Sequence, residues 1–419
     1  MRPQFLAVAI IYLFVADSFA QSSAPSLKDV LADTDNLASF NQLLDTGFAG
    51  LVANLSSQQQ SQQYVTLLAP SDNAFERLGS SSIFGDNSTD AIGSFLNYHV
   101  IPGSHPASTV GQAFSFFPTR LVKNAYTNVT GGQRLGFVKQ GNSEIIVISG
   151  GGTRSRVEKS DIYFNGGVMH VIDSPLLPPQ PLIQATIPFN LTGFLAAAYQ
   201  NKSAARSISE ARDVTLFVPN NVAFERVGST VTSIDESSLS SLIDYHVVVG
   251  EGGPFYTSSF SNGTIYKTVQ GQNLTIRQAS NSNFVNSARV LQADLLIANG
   301  VMHVIDNVLN PNGTGAVPDP AAGVQGPAMT GTSLADTPFT AIIPSLTSTL
   351  SLASSSTRLG GGTKTGTSVT GSSSTRRATS TRSSSTGQKT QGAAPRGAEA
   401  SVRLMGLMCG VVLLCVGRS

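Results

Sequence analysis

Two histidines occupy the same apolar setting at two places in the chain. His170 lies in NGGVMHVID, Asn165 to Asp173, and His303 in NGVMHVID, Asn299 to Asp306. A second pair follows a tyrosine each time, as Tyr98-His99 and Tyr245-His246. If His99 and His170 met in space with Asp173, two imidazoles and a carboxylate could hold a metal, or a His-Asp pair could activate a hydroxyl. Both chemistries need an open, concave site, whereas Val, Ile, Leu and Phe surround each histidine. The other reading is a core imidazole held by fixed hydrogen-bond partners, since a buried polar group left unpaired is costly. The chain has no Gly-x-Ser-x-Gly elbow, no His-Glu-x-x-His and no phosphate-cradling Gly-Lys-Ser/Thr loop. The expectation is a non-enzymatic protein with no catalytic residue, metal or cofactor.

The elements that carry these histidines follow from apolar spacing. In VMHVID read as a strand, Val168, His170 and Ile172 point one way and Met169, Val171 and Asp173 the other, which describes a central strand covered on both faces. Ile92, Phe95, Leu96 and His99 fall at helical spacing, as do Leu239, Leu242, Ile243 and His246, so His99 and His246 are placed on the apolar face of a helix. Each copy opens with another helical pattern, Leu37, Phe40 and Leu44, then Leu191, Phe194, Leu195 and Ala198. TLLAPSDNAFERLG from Thr66 and TLFVPNNVAFERVG from Thr215 read as a strand stopped by proline and running into a capped helix. Neighbouring Glu76-Arg77 and Glu225-Arg226 do not face each other on a helix and make no internal ion pair. Glycine-punctuated β-branched stretches follow, such as EIIVISG from Glu144 and NLTIRQ from Asn273, and read as hairpins. His105, which occurs in the first copy alone, reads as a loop residue.

Three landmarks recurring in one order define a duplication, with domains at 26–178 and 181–311 joined by the stiff stretch PLLPPQP from Pro175. The class is α+β, helices leading and a mostly antiparallel sheet closing. Residues 1–20 read as a secretory signal peptide. From Gly323 the composition turns to Ser, Thr, Gly and Ala, which cannot bury enough apolar surface to order itself, so 323–392 is expected to be a disordered stalk. Small residues, a polar spacer and the apolar run Leu404 to Val416 make a glycosylphosphatidylinositol signal, with Gly392 as acceptor and 393–419 as the removed propeptide. Both cysteines, Cys409 and Cys415, lie in that propeptide, which excludes thiolate sites and disulfides from the mature chain. Sequons at Asn54, Asn87, Asn128, Asn190, Asn201, Asn262, Asn273 and Asn312 fit passage through the secretory route. A formal net charge of +1 gives no global field for nucleic acid.

The landmarks TLLAPSDNAF and TLFVPNNVAF, the YH pairs and GVMHVID in both copies resemble the fasciclin-domain family over residues 26 to 311. The signal, stalk and anchor layout is similar to that of its anchored plant and fungal members. The resemblance implies two tandem domains, each a wedge-shaped β-sandwich with flanking helices, and a role in attaching cells to cells, matrix or wall. It also implies candidate adhesion residues, since integrin recognition in animal members is attributed to an Asp-Ile pair and to the Tyr-His region. The matching positions here are Asp161-Ile162 and Asp294-Leu295, where the second pair departs by carrying leucine, and Tyr98-His99 and Tyr245-His246; Asp161 reads alternatively as a turn residue at a strand start. Partners are then glycans and proteins of the cell surface, matrix or wall, with the membrane reached through the lipid anchor, at the extracellular face of the plasma membrane or in the wall. The alternative is a surface module that binds a lipid, small ligand or glycan between helix and sandwich.

Overall fold

A computed structural model describes residues 24–46, 48–56, 63–78, 88–141, 143–313 and 316–343. The expected signal peptide, the sequon Asn87, the stalk from residue 344, Gly392 and the propeptide lie outside them. None of the helices among the described residues is long and apolar enough to cross a membrane.

The first domain opens with α1 (Leu27–Asp33), α2 (Ala38–Asp45) and α3 (Ala49–Ser56), and then enters β1 (Val65–Pro70). Helices α4 (Asp72–Leu78) and α5 (Thr89–Tyr98) follow. Strands β2 (Val100–Pro102), β3 (Ser115–Pro118), β4 (Arg134–Gln140), β5 (Glu144–Ile148), β6 (Arg154–Phe164) and β7 (Gly167–Ile172) complete it. The second domain repeats the plan with α6 (Leu182–Thr186), α7 (Thr192–Ala198), α8 (Lys202–Glu210), β8 (Val214–Pro219), α9 (Asn221–Arg226), α10 (Gly228–Ser233) and α11 (Glu236–Asp244). Its strands continue as β9 (Val247–Val249), β10 (Ile265–Lys267), β11 (Asn273–Ala279), β12 (Ser282–Val285), β13 (Ala288–Ile297) and β14 (Gly300–Ile305).

Each domain has one seven-stranded sheet, ordered β2-β1-β7-β6-β5-β4-β3 and β10-β11-β12-β13-β14-β8-β9. Every pairing is antiparallel except the central one, β1 with β7 and β8 with β14, which is parallel. Both central strands are buried at every residue, as strands covered on two faces must be. One face of the first sheet presents Leu67, Ala69, Met169 and Val171 to the helices through Leu27, Phe40 and Phe95. Leu68 and Ile172 enter a separate cluster with Tyr98, Phe137 and Val147. In the second domain the outer strands come together through a bridge from Val248 to Thr268, so the sheet is nearly closed and little edge is left unpaired. The central pair runs so close that a Cβ on Gly167 would stand 1.9 Å from Val65 O, and one on Gly300 1.9 Å from Val214 O. Only glycine fits at either place.

The segment expected to begin an extended stalk behaves differently. Gln325 is buried, Asn307 Nδ2 donates to Gly326 O, Thr332 N donates to Ser229 Oγ, and Leu334 N donates to Glu225 O. Met329 and Phe339 pack on the second core. Residues 323–343 are therefore a strap on the second domain. A few spaced apolar residues and hydrogen bonds from buried backbone outweigh the low-complexity composition.

The orientation of the two domains is set by more than the proline-rich linker. Gln133 is fully buried in the joint, and its Nε2 donates to Ile297 O at 3.1 Å and Ala298 O at 3.3 Å across the boundary. Asp213, at a left-handed φ of 57°, accepts from Thr130 N at 2.7 Å and Thr130 Oγ1 at 2.5 Å. The rings of Phe116 and Tyr256 stack with centroids 4.2 Å apart. Gln133→Ala removes the side-chain donor to Ile297 O, while Ala298 O keeps Asn128 N and Thr127 Oγ1, and opens space in the buried joint, at a cost of about 1–3 kcal/mol. Calorimetry is expected to split one unfolding transition into two in this variant. An unsplit, unshifted transition would show that the joint couples nothing.

Candidate functional site

The Tyr-His pair sits where a helix hands over to an edge strand. Helix α5 ends at Tyr98 with His99 as its cap, and α11 ends at Asp244 with Tyr245 as its cap, so both histidines fall just past the helix on which periodicity had placed them. The reason is local. His99 Nδ1 donates to Phe95 O at 2.8 Å, a carbonyl that also accepts from His99 N at 3.2 Å, and His246 Nδ1 donates to Leu242 O at 2.8 Å, so each ring adds a donor to a last-turn carbonyl of the ending helix. The other nitrogen reaches across the domain. Leu176 N donates to His99 Nε2 at 3.0 Å, and Leu309 N donates to His246 Nε2 at 2.9 Å. Each ring thus ties the helix end to the chain leaving the central strand. Both imidazoles are fully buried, and burial lowers each to about 4 in spite of the carbonyl bond that favours the cation.

His170 and His303 use the opposite tautomer, inferred from their partners. His170 Nε2 donates to His105 O at 2.9 Å and its Nδ1 accepts from Asp161 N at 3.2 Å. His303 Nε2 donates to Phe255 O at 3.0 Å and its Nδ1 accepts from Asp294 N at 3.3 Å. Burial pushes both down and is opposed by the carbonyl bond and the neighbouring aspartate, so both are neutral near pH 7. His303 Nδ1 stands 4.0 Å from the Asp294 carboxylate, which for a neutral ring is a contact and not an ion pair. His105 is a loop residue whose backbone oxygen and ring both matter. The ring packs on Phe117 with centroids 4.2 Å apart, just as Phe255 packs on Tyr266 at 4.3 Å in the second domain.

The catalytic and metal alternatives do not assemble. Asp173 Oδ1 accepts from Arg156 N at 2.8 Å and turns to strand β6, not to His170. Asp306 does the same with Arg289 N at 2.8 Å. Among the described residues no three His, Cys, Asp or Glu side chains could hold a metal ion. Tyr98 and Tyr245 are also inside, their hydroxyls donating to Arg134 O and Asn273 O, both at 3.0 Å. Burial raises both phenols.

Asp161 and Asp294, the candidate adhesion residues of the resemblance, sit within the frame, Asp161 as the turn residue that its alternative reading describes. The β6–β7 register shifts between Lys159 and Ile162, and the β13–β14 register between Gln292 and Leu295. The two aspartates occupy those bulges at φ of 59° and 58°. Each carboxylate caps a short 3-10 turn: Asp161 Oδ1 accepts from Ala107 N at 2.8 Å and Asp294 Oδ1 from Thr257 N at 2.9 Å. Thr257 Oγ1 donates to the other Asp294 oxygen. Asp294 is buried, Leu295 belongs to the core of the second domain and Ile162 packs against that of the first. Both Asp294 oxygens are engaged in this cap, and Asp161 gives it Oδ1. Asp161→Ala is expected to cost about 1–3 kcal/mol in urea unfolding while leaving surface binding at the wild-type level. Binding lost from a variant still fully folded would restore the carboxylate as a contact.

Two features escaped the sequence. Arg77 Nη1 donates to Asp173 O at 3.1 Å and Arg226 Nη2 to Gln325 O at 2.7 Å, so the arginine of each AFER stretch holds the chain that leaves the last strand. The sequons also differ in access. Asn54, Asn190, Asn262, Asn273 and Asn312 are exposed, and Asn201 is half-buried and accepts from Ala204 N. The Asn128 amide nitrogen instead donates to Glu210 O at 2.8 Å and Ala211 O at 3.4 Å in the domain joint. Glycopeptide mapping is expected to find Asn128 unmodified. A glycan there, in protein with the domains still docked, would contradict the joint.

Comparison with known proteins places this frame. The family profile described as Fasciclin domain matches residues 35–178 and 190–311. A fasciclin-like arabinogalactan protein of Arthroderma benhamiae is 34% identical over 296 residues, which cover 70% of this chain and 69% of that protein. The cell surface glycolipoprotein MPB83 of Mycobacterium bovis is 34% identical over 102 residues, 24% of this chain and 44% of its own length. A solved FAS1 domain pair from the insect cell adhesion molecule Fasciclin I aligns over 66% of this chain and 97% of its own at 17% identity, with a TM-score of 0.32.

Proposed function

Because the chain belongs to the fasciclin-domain family, we propose that it is a non-enzymatic cell-surface adhesion glycoprotein whose paired domains attach cells to other cells, matrix or wall. One observation carries this reading: the four repeated histidines, both tyrosines and both bulge aspartates are hydrogen-bonded within their own domains, so the chemistry-bearing motifs serve the frame. Recognition then belongs to the outer surface of a docked pair. Similarity to a cell surface glycolipoprotein supports the location, and so do the leader and lipid-anchor patterns at the chain ends. Weak contacts presented densely from one membrane gain by multivalency. Partners are glycans and proteins of neighbouring cells or wall. Cells displaying the chain with residues 26–311 deleted, leader and anchor signals intact, should adhere at background level. Adhesion equal to that of the full chain would contradict the proposal.

A further inference from the structure

The helical surface that α7 and α9 form in the second domain has its counterpart in α2 and α4 of the first, and among the described residues the strap covers it only in the second. In the second domain the strap passes α9 and α10 and ends on α7. Leu334 N donates to Glu225 O at 2.9 Å, Thr337 Oγ1 donates to the Glu225 carboxylate at 2.6 Å, and Phe339 packs on the core. Thr337 lies against Gly193, beside a fully buried Phe224. A shared bond fixes the equivalent positions in the first domain: Asn221 Oδ1 accepts from Gly193 N as Asp72 Oδ1 accepts from Ser39 N. Gly193 thus corresponds to Ser39, Phe224 to Phe75, and Glu225 to Glu76. Among the described residues, Ser39, Leu43, Phe48, Phe75 and Ile92 line an open groove of about 390 Å³. Phe75 is only half-buried there, and Glu76 is exposed.

We propose that this groove of the first domain docks a second copy of the chain through that copy's residues 344–357. The strap supplies the template for the occupant. What seats on the matching surface is an extended Ser/Thr-rich stretch with spaced apolar residues and a hydroxyl bonded to the glutamate. Residues 344–357, PSLTSTLSLASSST, continue directly from the strap, carry no charge, and set Leu346, Leu350 and Leu352 among serines and threonines. The strap itself is not free to serve, because its own second domain holds it. Leucines would fill the groove beside Phe75 and Ile92, with Glu76 accepting from a Ser or Thr hydroxyl. This contact is separate from adhesion to unlike partners, which can fail while self-association persists.

Sedimentation equilibrium tests the proposal on residues 21–392 and on a chain ended at Ile343, which keeps every described residue. The longer chain is expected to dimerise, and truncation or Leu43→Lys to weaken association by about tenfold or more. A synthetic peptide of residues 344–357 should bind the truncated chain and dissociate dimers of the longer one. Equal association of both chains would overturn the proposal. So would a longer chain that stays monomeric with a groove closed to the peptide, since the occupant would then be its own.

Discussion

Replacing His170 by alanine is expected to lower the stability of the first domain by about 3–5 kcal/mol, and His303→Ala to do the same in the second. Each imidazole is buried and bridges two backbone groups: His105 O and Asp161 N in one domain, Phe255 O and Asp294 N in the other. Deleting the ring leaves a donor and an acceptor unsatisfied and opens a cavity in the central strand. The loss is a large part of the roughly 5–15 kcal/mol that holds a domain folded. His170→Phe separates the two causes, because it refills the space without restoring either bond. Denaturant unfolding should find His170→Phe still about 1–3 kcal/mol below wild type. A fully stable phenylalanine variant would reduce the histidine to a space-filler.

Acid should weaken both domains through His99 and His246. In the folded chain each titrates at about 4, against about 6.5 when unfolded, because burial disfavours the cation. Their contribution is complete above pH 6.5. As pH falls from there to 4 the unfolded chain takes up protons that the folded chain refuses, and each histidine withdraws up to about 3 kcal/mol. His170 and His303 shift in the same direction and add to the slope. Urea midpoints measured between pH 7 and pH 4 should drop steeply in the wild type. His99→Gln should start lower at pH 7 and fall less. A flat wild-type profile over that window would mean that these rings are hydrated or already charged.

The periodic parts of this structure were legible in the sequence. Leu37, Phe40 and Leu44 line the inner face of the first helices, and the alternation in VMHVID matches a central strand whose two faces join different clusters. That the histidines belong to the core could be read from their apolar neighbours. Their partners could not be, because Leu176 N and Asp161 N are backbone groups brought near only by the fold. The bulges were hidden for a related reason. An extra residue such as Asp161 breaks the two-residue alternation without leaving a signature of its own, so the sequence offers Asp161 as a turn residue but not the bulge or the turn that it caps. Composition misplaced the start of the stalk because Met329, Leu334 and Phe339 are too widely spaced to stand out among Ser, Thr and Gly. Gln133 gave no sign of its role, since a polar residue just after a glycine turn normally faces water, and its acceptors lie 164 and 165 residues away.

The central claim is that recognition lies on the protein surface of the docked pair and not in the buried motifs. Beads carrying residues 21–392, with N-glycans left intact or enzymatically trimmed, can be bound to the producing organism's own cells and isolated wall. Binding that survives trimming, in protein whose far-ultraviolet spectrum and unfolding midpoint are unchanged, is the expected result. Binding that disappears with the sugars from a chain still folded would contradict the claim and make the domains a scaffold for glycan display.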